Sequence, residues 1–260
     1  MEGFSVQIKF VEPKVEFVKT TTNLSLEDAV TTLSDILNVC YRNDKKRSFE
    51  EAKNFICAIA GRGHTSFLEH VNFSVTNFSI KNYRFIDFAN GISNIFYLNG
   101  RSIWECIGPK MFENGTINYS VPFNIPNAIR YLFKIETDIG TLEQITRHRT
   151  LSFTVQSTRY TNFKKKGFRF IEPNELYFPQ ENAIILGVKH HCKECAELYL
   201  DLLEAGCRAE QARQVLPKQL ATTLYVSGTR YWLNKFIETR TEQGVQAPIK
   251  WIAEQIKQYI

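Results

Sequence analysis

Three basic side chains stand in a row at Arg147, His148 and Arg149, and after seven intervening residues come Ser157, Thr158, Arg159 and Tyr160. This run, RHRTLSFTVQSTRY, carries more hydrogen-bond donors than a solvated surface needs, and it suits the holding of phosphate. Arginine is the apt residue, because its planar fork matches phosphate oxygens and can stack on a flat ring. If GTLEQITRHR is helical, Gln144, Arg147 and His148 fall at i, i+3 and i+4 and share a face, with Arg149 turned partly away. If the next segment is extended, Phe153, Val155, Ser157 and Arg159 face one way, so that Ser157 and Arg159 can reach one phosphate. The plain alternative is an exposed basic helix end, whose Arg and His complement the helix dipole. RHR alone favours that alternative.

The elements that must position these groups can be read in outline. Period-two alternation predicts a strand over 4–11. Ser25 reads as the N-cap of a helix through Ala29, Leu33, Ile36 and Leu37. A second helix over SFEEAKNFICAIA should stop at Gly61 and Gly63. HTSFLEH reads as a turn or short helix leading into a strand. YLFKIETDIGTLEQITRHR predicts a strand and then a helix that delivers the basic triplet, and LSFTVQSTRYTNF reads as extended. FRFIEP should be a strand, 181–205 a long helix broken at Gly206, and RAEQARQV a short helix ending before Pro217. LATTLYVSGT fits a strand or an apolar helix equally. Helices over RYWLNKFIETR and QAPIKWIAEQIKQ close the chain. Residues 82–127, rich in Asn, Gly and aromatics, read as an elaboration within one α/β (α+β) domain of 1–260, a mixed sheet with flanking helices.

The 260 residues suffice for a substantial core. A net charge of +5 suits anionic small substrates and is too weak for a nucleic-acid binder. No stretch approaches the roughly 18 apolar residues of a membrane span. The start, MEGFSVQIKF, lacks a signal-peptide pattern, and the six scattered cysteines read as free thiols, so a cytoplasmic protein is expected. HHCKEC contains one Cys-x-x-Cys without a second ligand pair. Cys192, Cys195 and Tyr199 fit an apolar helix stripe, and no metal is expected.

Beyond the RHR run, three further segments matter: GHTSFLEH (63–70), EQARQVLP (210–217) and LNKFIETRTEQGVQAPI (233–249). Together, in this order, they resemble the flavin-dependent thymidylate synthases, whose signature is Arg-His-Arg, seven residues and Ser. That resemblance implies reductive methylation of dUMP to dTMP, with 5,10-methylenetetrahydrofolate as carbon donor and FAD reduced by NADPH. It implies FAD contacts from Arg147, His148, Arg149 and Thr229, and from His64, Ser66 and Glu69 of another subunit of a homotetramer. It assigns dUMP to Gln144, Arg147, Ser157, Arg159, Arg213 and Arg240, with Arg240 catalytic at the pyrimidine carbonyl. Glu210, three residues before Arg213, could orient that guanidinium. No Pro-Cys pair occurs, in keeping with a route that needs no cysteine nucleophile. The sequence departs from the family pattern at Gly244, Thr154 and Thr229. A nucleotide- or RNA-binding module built on the same basic patch, or an inactive relative, is the alternative reading.

Overall fold

The computed structural model describes residues 6–76, 86–90, 95–113, 126–161 and 163–260. The chain runs β1 (Ile8–Val11), β2 (Lys14–Thr20), α1 (Leu26–Cys40) and α2 (Phe49–Gly61), then a 3-10 turn at Ser66–His70 and β3 (Asn72–Thr76). After β4 (Ile86–Asn90), β5 (Ile95–Asn99) and α3 (Gly100–Ile107) come β6 (Arg130–Asp138), α4 (Ile139–Ile145) and β7 (Ser152–Val155). The remainder is α5 (Phe163–Lys166), β8 (Phe168–Ile171), α6 (Asn182–Glu204), α7 (Ala209–Ala212), β9 (Ala221–Thr229), α8 (Arg230–Arg240) and α9 (Ala247–Lys257).

The central sheet has the order β2-β6-β9-β7 and is antiparallel throughout. The expected mixed sheet is therefore corrected: among the described strands the parallel ladder is β1 with β8, an isolated parallel bridge joins Thr22 to Asn72, and β3-β5-β4 forms a third, antiparallel sheet. LATTLYVSGT is resolved as a strand, paired along its length with β6. Its β-branched residues favour that state, and at Gly228 a Cβ would sit 2.4 Å from Leu151 Cδ2, so any larger residue would have to displace that side chain.

Strand alternation divides the core between the two faces of this sheet. Phe133, Ile135, Leu224 and Val226 pack on α8 and α9, while Leu132 and Tyr225 join α1, α2 and the 3-10 turn. A third cluster sets α6 against Phe163, Phe168 and Phe170. Cys192, Cys195 and Tyr199 are the buried stripe expected of α6. Ser25 caps α1 by accepting from the Asp28 N–H, and Ser48 with Glu51 closes a capping box on α2. The segment 82–127 lies partly outside the described residues. Its described part buries Leu98, Ile103, Met111 and Phe112 in the first cluster. Among the described residues, no helix is long and apolar enough to cross a membrane.

One buried polar network ties the sheet to the 3-10 turn. The Arg130 guanidinium, 2% exposed, donates to Asn72 Oδ1 (2.9 Å), Ser152 Oγ (3.2 Å) and Ser227 Oγ (2.8 Å). His70 lies 2.9 Å from Ser227 Oγ through Nδ1 and 3.0 Å from Thr154 Oγ1 through Nε2. Burial, with Arg130 nearby, lowers its pKa to about 3 and keeps the ring neutral. Thr154, a departure from the family pattern, thus has a structural task.

Candidate active site

The expected helix through the basic triplet stops short of it. α4 ends at Ile145, and Arg147, His148 and Arg149 occupy successive turns stitched by Arg147 N–H to Gln144 O (3.4 Å) and His148 N–H to Ile145 O (3.1 Å). Asp138 starts this helix by accepting from the Thr141 N–H at 2.9 Å. Its open C-terminal carbonyls find a cation from elsewhere in the chain: Arg240, the last residue of α8, donates Nη2 to Gln144 O at 3.1 Å. Arg240 Nε also donates to His148 Nε2 at 2.6 Å. His148 rests edge-on against Phe236, ring centroids 4.8 Å apart. Desolvation, followed by the charge of Arg240, lowers the His148 pKa, so its ring accepts as a neutral imidazole. The Arg240 pKa is also lowered, by desolvation and then by the neighbouring Arg147.

These groups border an open cleft of about 810 Å³ whose walls include Gln144, Arg147, Tyr177, Arg240 and Gln246. Gln246 is the N-cap of α9, yet its side chain does not cap that helix and instead accepts from Gln144 Nε2 at 2.5 Å. Sequence reasoning passed over Gln246 and Tyr177; the only signal for the former was its place in the GVQ stretch. Gly244 in that stretch adopts φ +83°, a left-handed turn that glycine enters freely and a histidine would strain.

The second group gathers where β7 ends. The extended run expected through 163 stops at Val155, so Ser157 and Arg159 do not continue the face shared by Phe153 and Val155. Ser157 instead opens a turn in which its Oγ accepts from the Arg159 N–H (3.2 Å) and the Tyr160 N–H (3.4 Å). With its lone pairs facing those donors, the hydroxyl has its own proton free to give to an anion. Arg213, in the 3-10 turn after α7, donates Nη1 to Thr158 Oγ1 at 2.9 Å. Glu210 does not orient Arg213, because it pairs with Arg208 at 3.3 Å. Beside the turn, Tyr41 and the exposed Tyr160 have ring centroids 5.7 Å apart, and the Arg159 guanidinium stands 5.8 Å from the Tyr160 ring centroid.

The assigned dUMP residues therefore fall into two groups: Gln144, Arg147 and Arg240 at the cleft, and Ser157, Arg159 and Arg213 at the turn. Among the described residues, no hydrogen bond or ion pair joins the two groups, and none of these four arginines or Arg149 is in an ion pair. His64, just before the 3-10 turn, and Ser66, its first residue, are exposed. Glu69 is engaged by Arg101 at 2.8 Å, and Arg101 also holds Glu105. Thr229 is buried as the N-cap of α8. A separate cavity of about 260 Å³, lined by Arg42, Glu136 and Arg169, includes none of the assigned residues.

Residues 123–260 match the family model described as thymidylate synthase complementing protein. That span includes every assigned residue except His64, Ser66 and Glu69. A flavin-dependent thymidylate synthase of Aquifex aeolicus is 28% identical over 144 residues, covering 50% of this chain and 45% of the relative. Another, of Thermotoga neapolitana, is 31% identical over 129 residues, covering 48% and 58% respectively. The chain thus spans about half the length of the curated relatives it matches. The crystal structure of a UMP/dUMP methylase PolB from Streptomyces cacaoi, bound with 5-Br dUMP, has a similar fold, with TM-score 0.50 and 18% identity over 97% of this chain and 91% of that one. With more than half of its length within the family model, this chain belongs to the thymidylate synthase complementing protein family.

Proposed function

We propose that the protein is a flavin-dependent thymidylate synthase that methylates dUMP to dTMP, with 5,10-methylenetetrahydrofolate as carbon donor. The observation that carries this reading is the Arg240 guanidinium, fixed by neutral His148 and by Gln144 O at the wall of the cleft. The curated relatives bear the same activity in their names, and the PolB methylase was crystallised with a dUMP analogue.

The residues present fit FAD. Arg147 and Arg149 are exposed guanidiniums on consecutive turns, able to take a diphosphate, and His148 adds a ring whose neutrality limits charge repulsion. When bound, the flavin, reduced by NADPH, supplies the hydride that completes the methyl group. The protein's own part is positioning and electrostatics. Ser157 donates its hydroxyl proton to the nucleotide phosphate while Arg159 and Arg213 neutralise the charge. Gln144 offers its amide to the nucleotide, and Arg240, held from two sides, stabilises charge that develops on the pyrimidine ring. On this reading the complete site is assembled between copies, as in a homotetramer, with His64, Ser66 and Glu69 meeting the flavin of a neighbour. Thr229, buried at the N-cap position of α8, would act on the flavin only through the start of that helix.

The test is product analysis. The purified protein, given dUMP, methylenetetrahydrofolate, FAD and NADPH, should form dTMP together with tetrahydrofolate. Flavin binding with no dTMP under any reductant would favour the inactive-relative reading.

A further inference from the structure

The anion-binding turn has a built-in anchor. Arg213 is half-buried on a single 3-10 turn, and its neighbour in sequence, Glu210, is turned to Arg208. Among the described residues its guanidinium has one hydrogen bond, to Thr158 Oγ1 at 2.9 Å, which crosses 55 positions of sequence. Thr158 lies between Ser157, whose hydroxyl is set by two backbone N–H groups, and Arg159.

We propose that Thr158 is a positioning residue: by holding one N–H of Arg213, it aims the other donors of that guanidinium at the phosphate of a nucleoside monophosphate bound at Ser157. The proposal rests on the nucleotide reading above. An arginine has five N–H donors in a rigid fork, so fixing one of them orients the rest. A free guanidinium on its long stem would lose rotamer freedom on binding; one already tethered has lost part of it beforehand. Threonine suits the role because its β-branch restricts χ1 and keeps Oγ1 in place. Thr158 need not touch the ligand.

The test compares dUMP with deoxyuridine, which lacks the phosphate, by calorimetry on FAD-loaded protein. Thr158→Val should raise the Kd for dUMP by up to about tenfold, as expected when an untethered side chain must be ordered on binding, and leave that for deoxyuridine unchanged. Thr158→Ser should restore tight binding. In an Arg213→Gln background, Thr158→Val should add nothing. Equal losses for both ligands, or an undiminished effect in the Arg213→Gln background, would overturn the proposal. Retained FAD absorbance checks the fold of each variant, and Thr158→Ala stands in if valine is not tolerated. Failure of the unaltered protein to bind dUMP would sink the nucleotide reading and this proposal with it, whereas tight dUMP binding that ignores every Thr158 substitution would sink this proposal alone.

Discussion

Arg240 performs two tasks with one guanidinium: its Nε fixes the tautomer of His148, and its Nη2 closes the open end of α4. Replacing it by alanine should abolish dTMP formation while FAD remains bound. It should also raise the His148 pKa toward the ordinary 6.5, because the cation that helps depress it is gone. NMR titration of the imidazole checks the second effect, and an unmoved His148 would mean that Arg240 does not reach it in solution. Ser157→Ala removes a hydroxyl whose proton is directed outward by two backbone donors. Its expected effect is weaker dUMP binding by roughly 1–3 kcal/mol, with FAD affinity unchanged. Unaltered dUMP affinity would remove Ser157 from the phosphate site.

At the scale of elements, the 3-10 turn, β7 and β9 are joined by buried His70, Ser227 and Thr154 rather than by apolar packing alone. This joint is acid-sensitive. Unfolded His70 takes up a proton near pH 6.5, whereas the folded ring resists until about 3. The unfolded state therefore binds more protons across that window, and stability falls as pH drops through it. The slope contributed is up to about 1.4 kcal/mol per pH unit. His148 adds to the same trend, its folded pKa being lowered too. Denaturation followed from pH 7 to pH 4 should show this acid limb, and His70→Gln should flatten it; an unchanged limb in that variant would place the proton uptake elsewhere. The elements themselves were legible where local chemistry decides them: the Ser25 and Ser48 caps, the glycine stops and the apolar stripe of α6. The end of α4 was not. Helical spacing continues through Gln144, Arg147 and His148, but the backbone turns there, with Gln144 O accepting from the distant Arg240 as well as from the Arg147 N–H. Nor did the spacing disclose the Ser157 turn, since the alternation of Phe153 and Val155 runs on into Ser157 until its hydroxyl meets the backbone. Arg213 was identified by its motif, but its partner was misread, because Glu210 is near in sequence while Thr158 is near only in space.

Considered as a whole molecule, the chain has no hydrogen bond or ion pair, among its described residues, between the cleft group and the turn group; on the proposed reading, in which copies share each site, activity should depend on their association. This leads to a complementation prediction. Arg213→Ala spoils the turn and Arg240→Ala spoils the cleft, so each variant alone should be inactive. Mixed and allowed to exchange subunits, they should regain partial activity, because some sites would combine an intact turn with an intact cleft. No recovery after demonstrated exchange would show that each site belongs to one chain.

The most direct single measurement is the visible spectrum of the purified protein with FAD, followed through reduction by NADPH with and without dUMP. The expected result is a bound, yellow flavin whose reduction rate changes when dUMP is present, since the Arg147–Arg149 turns and the Arg240 cleft would then serve one shared site. A colourless protein, indifferent to FAD and to dUMP alike, would contradict the proposed function and leave RHRTLSFTVQSTRY to a nucleotide- or RNA-binding module.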